Sequence, residues 1–543
     1  MYNSEIPHQT SGEVLSQVSS YFAAVDSAIA MGDTNKRYQP ATNTCYGPPV
    51  PVQANSYTTV VISPTADNTA DIYNGYIYAE MNVKFTLTSG AKAAEVADWA
   101  DQTALENPYS LWVGFKDAMD AIEKYEILAN GITIYTQNQA IEESYVTACG
   151  LPEAAKRGDP FSRVRHKDIF NNKWRGSQGC GVYLDFANLS KLPNSNLVTA
   201  TQTIKLKIDL RRFLPLSNIK YLPAFAGKIE LRLYFSTAGM VCTPVLSRWK
   251  PAGMATKYAA NISTITSEFV PLGATFKMYT LYKAANEVDG GAQLGVSECT
   301  LTASKDYNLT QCETIIHCFG LSSERYDALV AKYMQTPLTF PTQTLAFTQM
   351  SNLLDSENSK TVQTITPRFI DSIFFLFPVL PTYRTCFKNP CFKSVQLQCG
   401  GYGSIPDIAF GTINSARLFE CTQNALNLNC DTTCMSKDVV NSLMRTPSAL
   451  TEEGLESTDC TNFIMGFPTE TDGTFQQGQT SNTPITYTLS VSQESENIYK
   501  KNAKTTPIMG ILVDSTFSIQ IRSDGAPPVV EVGAFDITSP VMM

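Results

Sequence analysis

The chain has 543 residues, a mass of 59.6 kDa and a formal net charge of -9, from 41 Lys+Arg and 50 Asp+Glu. With 43% hydrophobic and 17% charged residues, disorder is excluded, and the acidic balance excludes a polybasic nucleic-acid coat. By the usual scaling of surface with mass, folding would leave exposed ~19,000 Å2 of the ~86,000 Å2 of the unfolded chain, which suits two domains of about 200–270 residues.

In chain order, residues 1–40 read as an arm. Thr10 and Glu13 fit a capping box, and apolar residues recur at Val14, Leu15, Val18, Tyr21, Phe22, Val25 and Ile29 at helical spacing. Such a helix must dock; its own domain is favoured over a neighbour or a membrane surface. Residues 34–56, rich in Asn, Thr and Pro, read as an extended linker.

From residue 56 the period becomes two. Strands are expected over 57–62 and 72–87, and a hairpin over 124–136 turns on Asn130-Gly131, the favoured pair for a type I′ turn. A short helix is expected over 139–148. Ile204, Leu206, Ile208 and Leu210 alternate with Lys205, Lys207 and Asp209; Ile229, Leu231, Leu233 and Phe235 alternate with Glu230, Arg232 and Tyr234. The pattern lapses over 244–261, where the domain boundary is placed. A second β-rich series follows over 276–282, 395–399, 485–491 and 517–521. A helix is read at Tyr326, Leu329, Val330, Tyr333 and Met334, capped by Ser322 or Ser323 and stopped by Pro337. Residues 415–428 are helix-like. The two series echo each other in order and spacing, as two β-sandwiches of one topology would.

The longest apolar run, 373–380, holds Pro378 and is far short of the roughly 20 residues of a membrane span. No charged segment followed by an apolar core marks a secretory leader, so a cytosolic or nuclear folding site is expected. The 14 cysteines form no CxxC pair and read as buried thiols.

Catalytic residues are sparse. The three histidines are His8, His166 and His317. His317 lies beside Cys312 and Cys318, yet that spacing matches no zinc pattern, even with Cys430 and Cys434 as a second pair. No phosphate-binding, dinucleotide-binding, metalloprotease or nucleophile-elbow motif occurs. The neighbouring pairs Glu142-Glu143 and Glu452-Glu453 diverge on a helix or a strand and read as solvated surface. A basic segment carries Lys156, Arg157, Arg163, Arg165, Lys167, Lys173 and Arg175. A solvated loop is weighed slightly above contact with nucleic acid or an acidic neighbour.

Two stretches carry a family resemblance. Leu128-Ala129-Asn130-Gly131-Ile132 followed by a helix, and the run from Ile204 through Arg212-Phe213-Leu214-Pro215 and Tyr221-Leu222-Pro223 to Leu233, resemble double jelly-roll major capsid proteins of virophages, polinton-like viruses and adintovirus-type elements. Lys388-Asn389-Pro390 and Ile405-Pro406-Asp407 fit the same pattern loosely. The resemblance implies a mainly β fold of two consecutive eight-stranded jelly rolls, with short helices in the loops and an N-terminal helical arm. The units would be 1–55 (arm and linker), 56–245 and 246–543. It implies a non-enzymatic virion protein without cofactor or metal. Homotrimeric, pseudo-hexagonal capsomers would contact neighbouring capsomers, a separate penton protein and minor cement proteins around double-stranded DNA, with or without an inner lipid layer. Val14, Val18, Phe22, Val25, Arg157, Arg163, Arg165, Lys167 and Arg175 are the expected assembly residues, and deleting residues 1–32 is expected to spare the trimer but impair shells. The alternatives are a single jelly-roll, parvovirus-like coat protein and a β-sandwich that binds or hydrolyses carbohydrate.

Overall fold

The structure is a computed structural model. It describes residues 11–30, 34–44, 51–52, 56–64, 68–89, 109–150, 161–163, 180–184, 190–191, 197–246, 269–283, 292–351, 358–365, 370–378, 384–387, 392–399, 403–404, 415–426, 461–469, 485–493 and 506–534. The chain is mainly β, with all named strand pairs antiparallel.

In the first half, eight strands pair as a nested series. β1 (Thr58–Val61) lies beside β8 (Ile229–Phe235), β2 (Asn68–Ser89) beside β7 (Leu197–Asp209), β3 (Tyr109–Gly114) beside β6 (Gly181–Leu184), and β4 (Ile122–Ala129) beside β5 (Ile132–Gln137). The second half repeats the scheme. β9 (Leu338–Gln349) pairs with β16 (Ile508–Gln520), β10 (Asn358–Ile365) with β15 (Ile485–Gln493), β11 (Ile370–Leu376) with β14 (Met465–Pro468), and β12 (Phe392–Cys399) with β13 (Gly403–Ser404). Pairing first with last and working inward is an antiparallel ribbon rolled upon itself, the jelly-roll winding. In the second half the rolled ribbon forms two sheets, β9-β16-β11-β14 and β10-β15-β12-β13. The first half differs. Its hairpin β4–β5 joins β1 and β8, while β3 and β6 form a separate sheet with Val241–Leu246 and Val270–Pro271.

The alternation read from the sequence is the burial pattern. Ile204, Leu206 and Ile208 of β7 and Ile229, Leu231 and Leu233 of β8 are buried in one core with Ile77, Ala79, Met81 and Val83 of β2. Leu397, Tyr487 and Leu489 from one sheet of the second half meet Ile373, Phe375, Met509 and Ile511 from the other. The hairpin turns at Asn130 (φ 50) and Gly131 (φ 84), the left-handed pair a type I′ turn requires. Among the described residues, four α-helices accompany the strands: α1 (Ser11–Ala30), α2 (Ala140–Gly150), α3 (Ser323–Gln335) and α4 (Ser415–Ala425). Among the described residues, no helix is long and apolar enough to cross a membrane.

One expectation is corrected. Residues 34–56 are not a bare linker: Thr34–Thr44 and Pro51–Val52 are strands paired with Tyr307–Leu321. The run of Thr, Asn, Lys, Arg and Gln in Thr34–Thr44 carries no hydrophobic period, so the sequence pattern hides the strand. Strands Ala292–Ala303 and Tyr307–Leu321 pair with β2, so the sheet of the first half extends to residue 321.

Helix α1 docks on its own chain. Val18, Tyr21, Phe22, Val25 and Ala28 are buried, whereas Ile29 is 37% exposed. The Phe22 ring stacks on Phe340 of the second half at 5.9 Å and meets Tyr221 of the first edge-on at 5.9 Å. Asp26 accepts hydrogen bonds from Lys220 Nζ (2.7 Å) and Tyr221 Oη (2.6 Å), while Lys332 Nζ donates to Ser20 Oγ. Phe22→Ala is expected to destabilise the chain by about 3–5 kcal/mol, as a large-to-small change in a filled core does. Urea unfolding followed by tryptophan fluorescence measures it, and an unchanged midpoint would remove α1 from the list of elements that hold the halves together.

Candidate functional site

Among the described residues, a concentration of buried polar groups lies where the two halves meet. It begins with the turn before β4. Asp117 caps the short helix Ala118–Ala121 by accepting from Met119 N–H at 3.0 Å, and the Asp120 carboxylate accepts from Asp117 N–H at 3.0 Å. Helix α2 runs alongside and supplies Glu142, Glu143, Ser144 and Tyr145, all buried. Ser144 Oγ donates to Asp120 at 2.7 Å. Arg212, in the tight turn after β7, donates through Nη2 to Asp117 and to the Ser144 carbonyl, each at 3.2 Å.

Glu143 sits at the centre and is 0% exposed. Its carboxylate accepts from Tyr125 Oη (2.9 Å), Gln137 Nε2 (2.5 Å) and Leu214 N–H (3.4 Å). Two of these donors reach across to the second half: Gln137 Nε2 also donates to the Leu345 carbonyl at 2.7 Å, and the Leu214 carbonyl accepts from Thr342 Oγ1 at 2.7 Å. Burial, only partly offset by these bonds and by the charge of Arg212, pushes the Glu143 carboxyl up to about 7. Burial, then the neighbouring Asp117, pushes Asp120 up to about 7 as well.

Further links cross the same boundary. Buried Lys116 donates to the Thr461 carbonyl and hydroxyl and to Asn462 Oδ1, with its ammonium 5.2 Å from the Phe269 ring centre. Tyr145 Oη donates to the Phe463 carbonyl at 2.9 Å. Arg384 forks onto both oxygens of Glu142 at 2.7 Å and reaches Glu123 at 2.7 Å. Burial alone would lower the Arg384 guanidinium, but the two carboxylates outweigh it and raise it. At the far end, Asn130 Nδ2 donates to the Pro528 carbonyl at 3.1 Å. The apolar layers interlock too: Tyr145, Val146 and Cys149 of α2 pack in the second half's core.

The solvated-surface reading of Glu142-Glu143 is therefore overturned. The adjacent residues do diverge on the helix as their spacing requires, but one side chain meets Arg384 and the other meets Tyr125 and Gln137. Local sequence holds no sign of those partners, 242 residues away in the case of Arg384.

The expected assembly residues fall in different places. Val18, Phe22 and Val25 are buried in the chain's own core; the side chain of Val14 lies outside the described residues. Arg163 donates to the Ala148 carbonyl at 3.0 Å and stands 3.8 Å from Asp117, within the seam. Arg157, Arg165, Lys167 and Arg175 lie outside the described residues, as do Cys430, Cys434 and the pair at 452–453.

No catalytic grouping forms around His317 among the described residues. Along its strand, Cys312, Thr314, Ile316 and Cys318 are buried while Glu313, Ile315 and His317 are half-buried, so the histidine and the two cysteines occupy opposite faces. Among the described residues, no group of three or more His, Cys, Asp or Glu is arranged to hold a metal ion. Of the described cysteines, Cys149, Cys180, Cys242, Cys299, Cys312, Cys318 and Cys386 are buried. Burial pushes Cys299 up to about 12 and Cys318 up to about 11, which keeps them protonated and unreactive.

No family model and no curated protein matches the sequence. Among solved structures, the chain is similar to a chain of the Sputnik virophage, at 12% identity over 94% of this chain and 91% of that one, with a TM-score of 0.48. It is similar to the mavirus major capsid protein at 10% identity over 94% of each chain, TM-score 0.47. It is also similar to the Faustovirus major capsid protein at 8% identity over 88% and 90%, TM-score 0.37. The jelly-roll winding itself is established by the strand pairing of this chain.

Proposed function

We propose that the chain is a structural building block of a virion, a major capsid protein with two jelly rolls in one polypeptide. The observation that carries this reading is the pairing of two nested eight-strand ribbons, joined by a buried polar seam into one unit. Fold alone does not define function, and the resemblance in the loop and strand sequences around Asn130 and Phe213 points the same way. The work of such a protein is to present fixed surfaces to its neighbours. A seam of charge-assisted bonds suits that task, because it fixes the angle between the halves more tightly than apolar contact does. Catalysis forms no part of this role.

In this reading three copies form a pseudo-hexagonal capsomer, and capsomers tile an icosahedral shell around double-stranded DNA, with a penton protein and minor proteins completing it. Subunit contacts above about 2,000 Å2 in total would be needed for a stable trimer. The burial of α1 changes one expectation. Deleting residues 1–32 should destabilise the chain itself, because it empties the pocket between Tyr221 and Phe340.

The test is the mass of the purified chain by light scattering after size exclusion, with the same peak imaged by negative stain. About three times the chain mass and a hexagonal outline are expected. A monomer that binds or cleaves glycans in a carbohydrate screen would overturn the capsid reading.

A further inference from the structure

We propose that the buried carboxyls of Asp120 and Glu143, set beside Asp117, form a proton-operated clamp between the two halves, closed when they are protonated in mildly acidic solution and loosened when they ionise. The clamp would work in the single chain, whatever shell the chain builds, so its failure and the failure of the capsid reading are separate events.

The geometry is a cluster in which acids outnumber the bases that face them. The short helix Ala118–Ala121 and its cap bring Asp117 and Asp120, and α2 brings Glu143. The turn after β7 brings Arg212, whose Nη2 serves Asp117. The segment 161–163 brings Arg163, 3.8 Å from Asp117. The hairpin brings the phenols of Tyr125 and Tyr135 and the amide of Gln137, and the Cys180 thiol lies in the field of Asp117 and Asp120. The second half offers only neutral groups here among the described residues, the Leu345 carbonyl and the Thr342 hydroxyl. The described hydrogen-bond partners of Glu143 include no cation.

That arrangement ties proton binding to the joint. Glu143 is one hydrogen bond removed from the second half by two routes, through Gln137 to Leu345 and through Leu214 to Thr342. An ionised carboxylate here must draw in water or a cation, and both would have to enter between those donors. The folded-state values near 7 stand above the ordinary 3.8 and 4.5 of Asp120 and Glu143. The folded chain therefore holds more protons than the unfolded chain between about pH 4 and 7. Stability from this source is complete below the unfolded values and is lost as pH rises through the folded ones.

The double variant Asp120→Asn, Glu143→Gln tests the clamp by fixing its protonated shape. In Asp120→Asn the amide oxygen can keep the Asp117 N–H while the amide nitrogen donates to Ser144 Oγ. In Glu143→Gln the amide oxygen can keep Gln137 while the amide nitrogen donates to Tyr125 Oη, losing only the 3.4 Å bond from Leu214. Thermal unfolding of the full chain is followed from about pH 5.5 to about pH 8. The native chain should lose several degrees over that range and the double variant less than half as much. Equal slopes would overturn the proposal. Should the variant fail to fold, infrared spectroscopy of the native chain decides. The carbonyl stretch of a buried, protonated carboxylic acid should be present near pH 6 and gone by pH 8.5, and its absence near pH 6 would refute the clamp.

Discussion

Arg384→Met is expected to destabilise the chain by about 3–5 kcal/mol, the range for breaking a buried ion pair by removing one partner. Arg384 grips both oxygens of Glu142 at 2.7 Å. Methionine fills much of the arginine's volume but leaves the Glu142 carboxylate buried against the second half without its cation. The contact with Glu123 adds little, because that side chain is 48% exposed and water screens it. Replacing both members, Arg384→Met with Glu142→Leu, should recover most of the loss, since two apolar side chains need no partner. Urea unfolding of the two single variants and the double variant closes the cycle. Additive losses would show that the pair does not act as a unit and that the seam is held elsewhere.

The second large effect is expected from Gly181→Ala. Gly181 of β6 lies opposite Gly114 of β3, and the fully buried Trp112 lies across both. A methyl group at residue 181 would stand 2.2 Å from Trp112 Cζ2 and 2.7 Å from the Val113 carbonyl. At Gly114 it would stand 2.3 Å from the Cys180 carbonyl. Neither approach is possible without moving backbone. Overpacking of this kind costs about 3 kcal/mol or more, so Gly181→Ala should lower the yield of folded protein sharply. Trp112→Phe should relieve part of the clash with the ring. Among the described residues the indole N–H has no hydrogen-bond partner to lose. Recovery of thermal stability in the double variant over Gly181→Ala is the expected outcome. A fully stable Gly181→Ala chain would mean that β3 and β6 are not paired in this register.

Much of the fold is legible in the sequence because each half-buried strand writes its own alternation. Lys205 and Lys207 mark the outer face of β7 as clearly as Ile204 and Leu206 mark the inner one. Asn130-Gly131 announces its turn because few other residue pairs take positive φ at both positions. The seam is illegible for the opposite reason. Glu142, Glu143, Asp117 and Asp120 read locally as surface carboxylates, and what buries them is supplied by Arg212, Leu345 and Arg384, far along the chain. The paired strand Thr34–Thr44 escapes notice too, since Thr, Asn and Gln carry no periodic apolar signal. The pairing of Ala292–Ala303 and Tyr307–Leu321 with β2 is equally hidden. A lapse in pattern marks a long loop, and only pairing shows which sheet the next strands join.

The position of Tyr307–Leu321 against β2 has a consequence for synthesis. β2 begins at Asn68, and its partner on that edge leaves the ribosome some 250 residues later. At about 5–20 residues per second, the edge of β2 waits on the order of 10–50 s for its mate. Throughout that interval a 22-residue strand offers unpaired backbone to any other nascent chain. Crowded polysomes, with many copies emerging side by side, are therefore where this protein runs its greatest risk of mispairing. Holding β2 apart until residue 321 has emerged is the service it would most need from a chaperone.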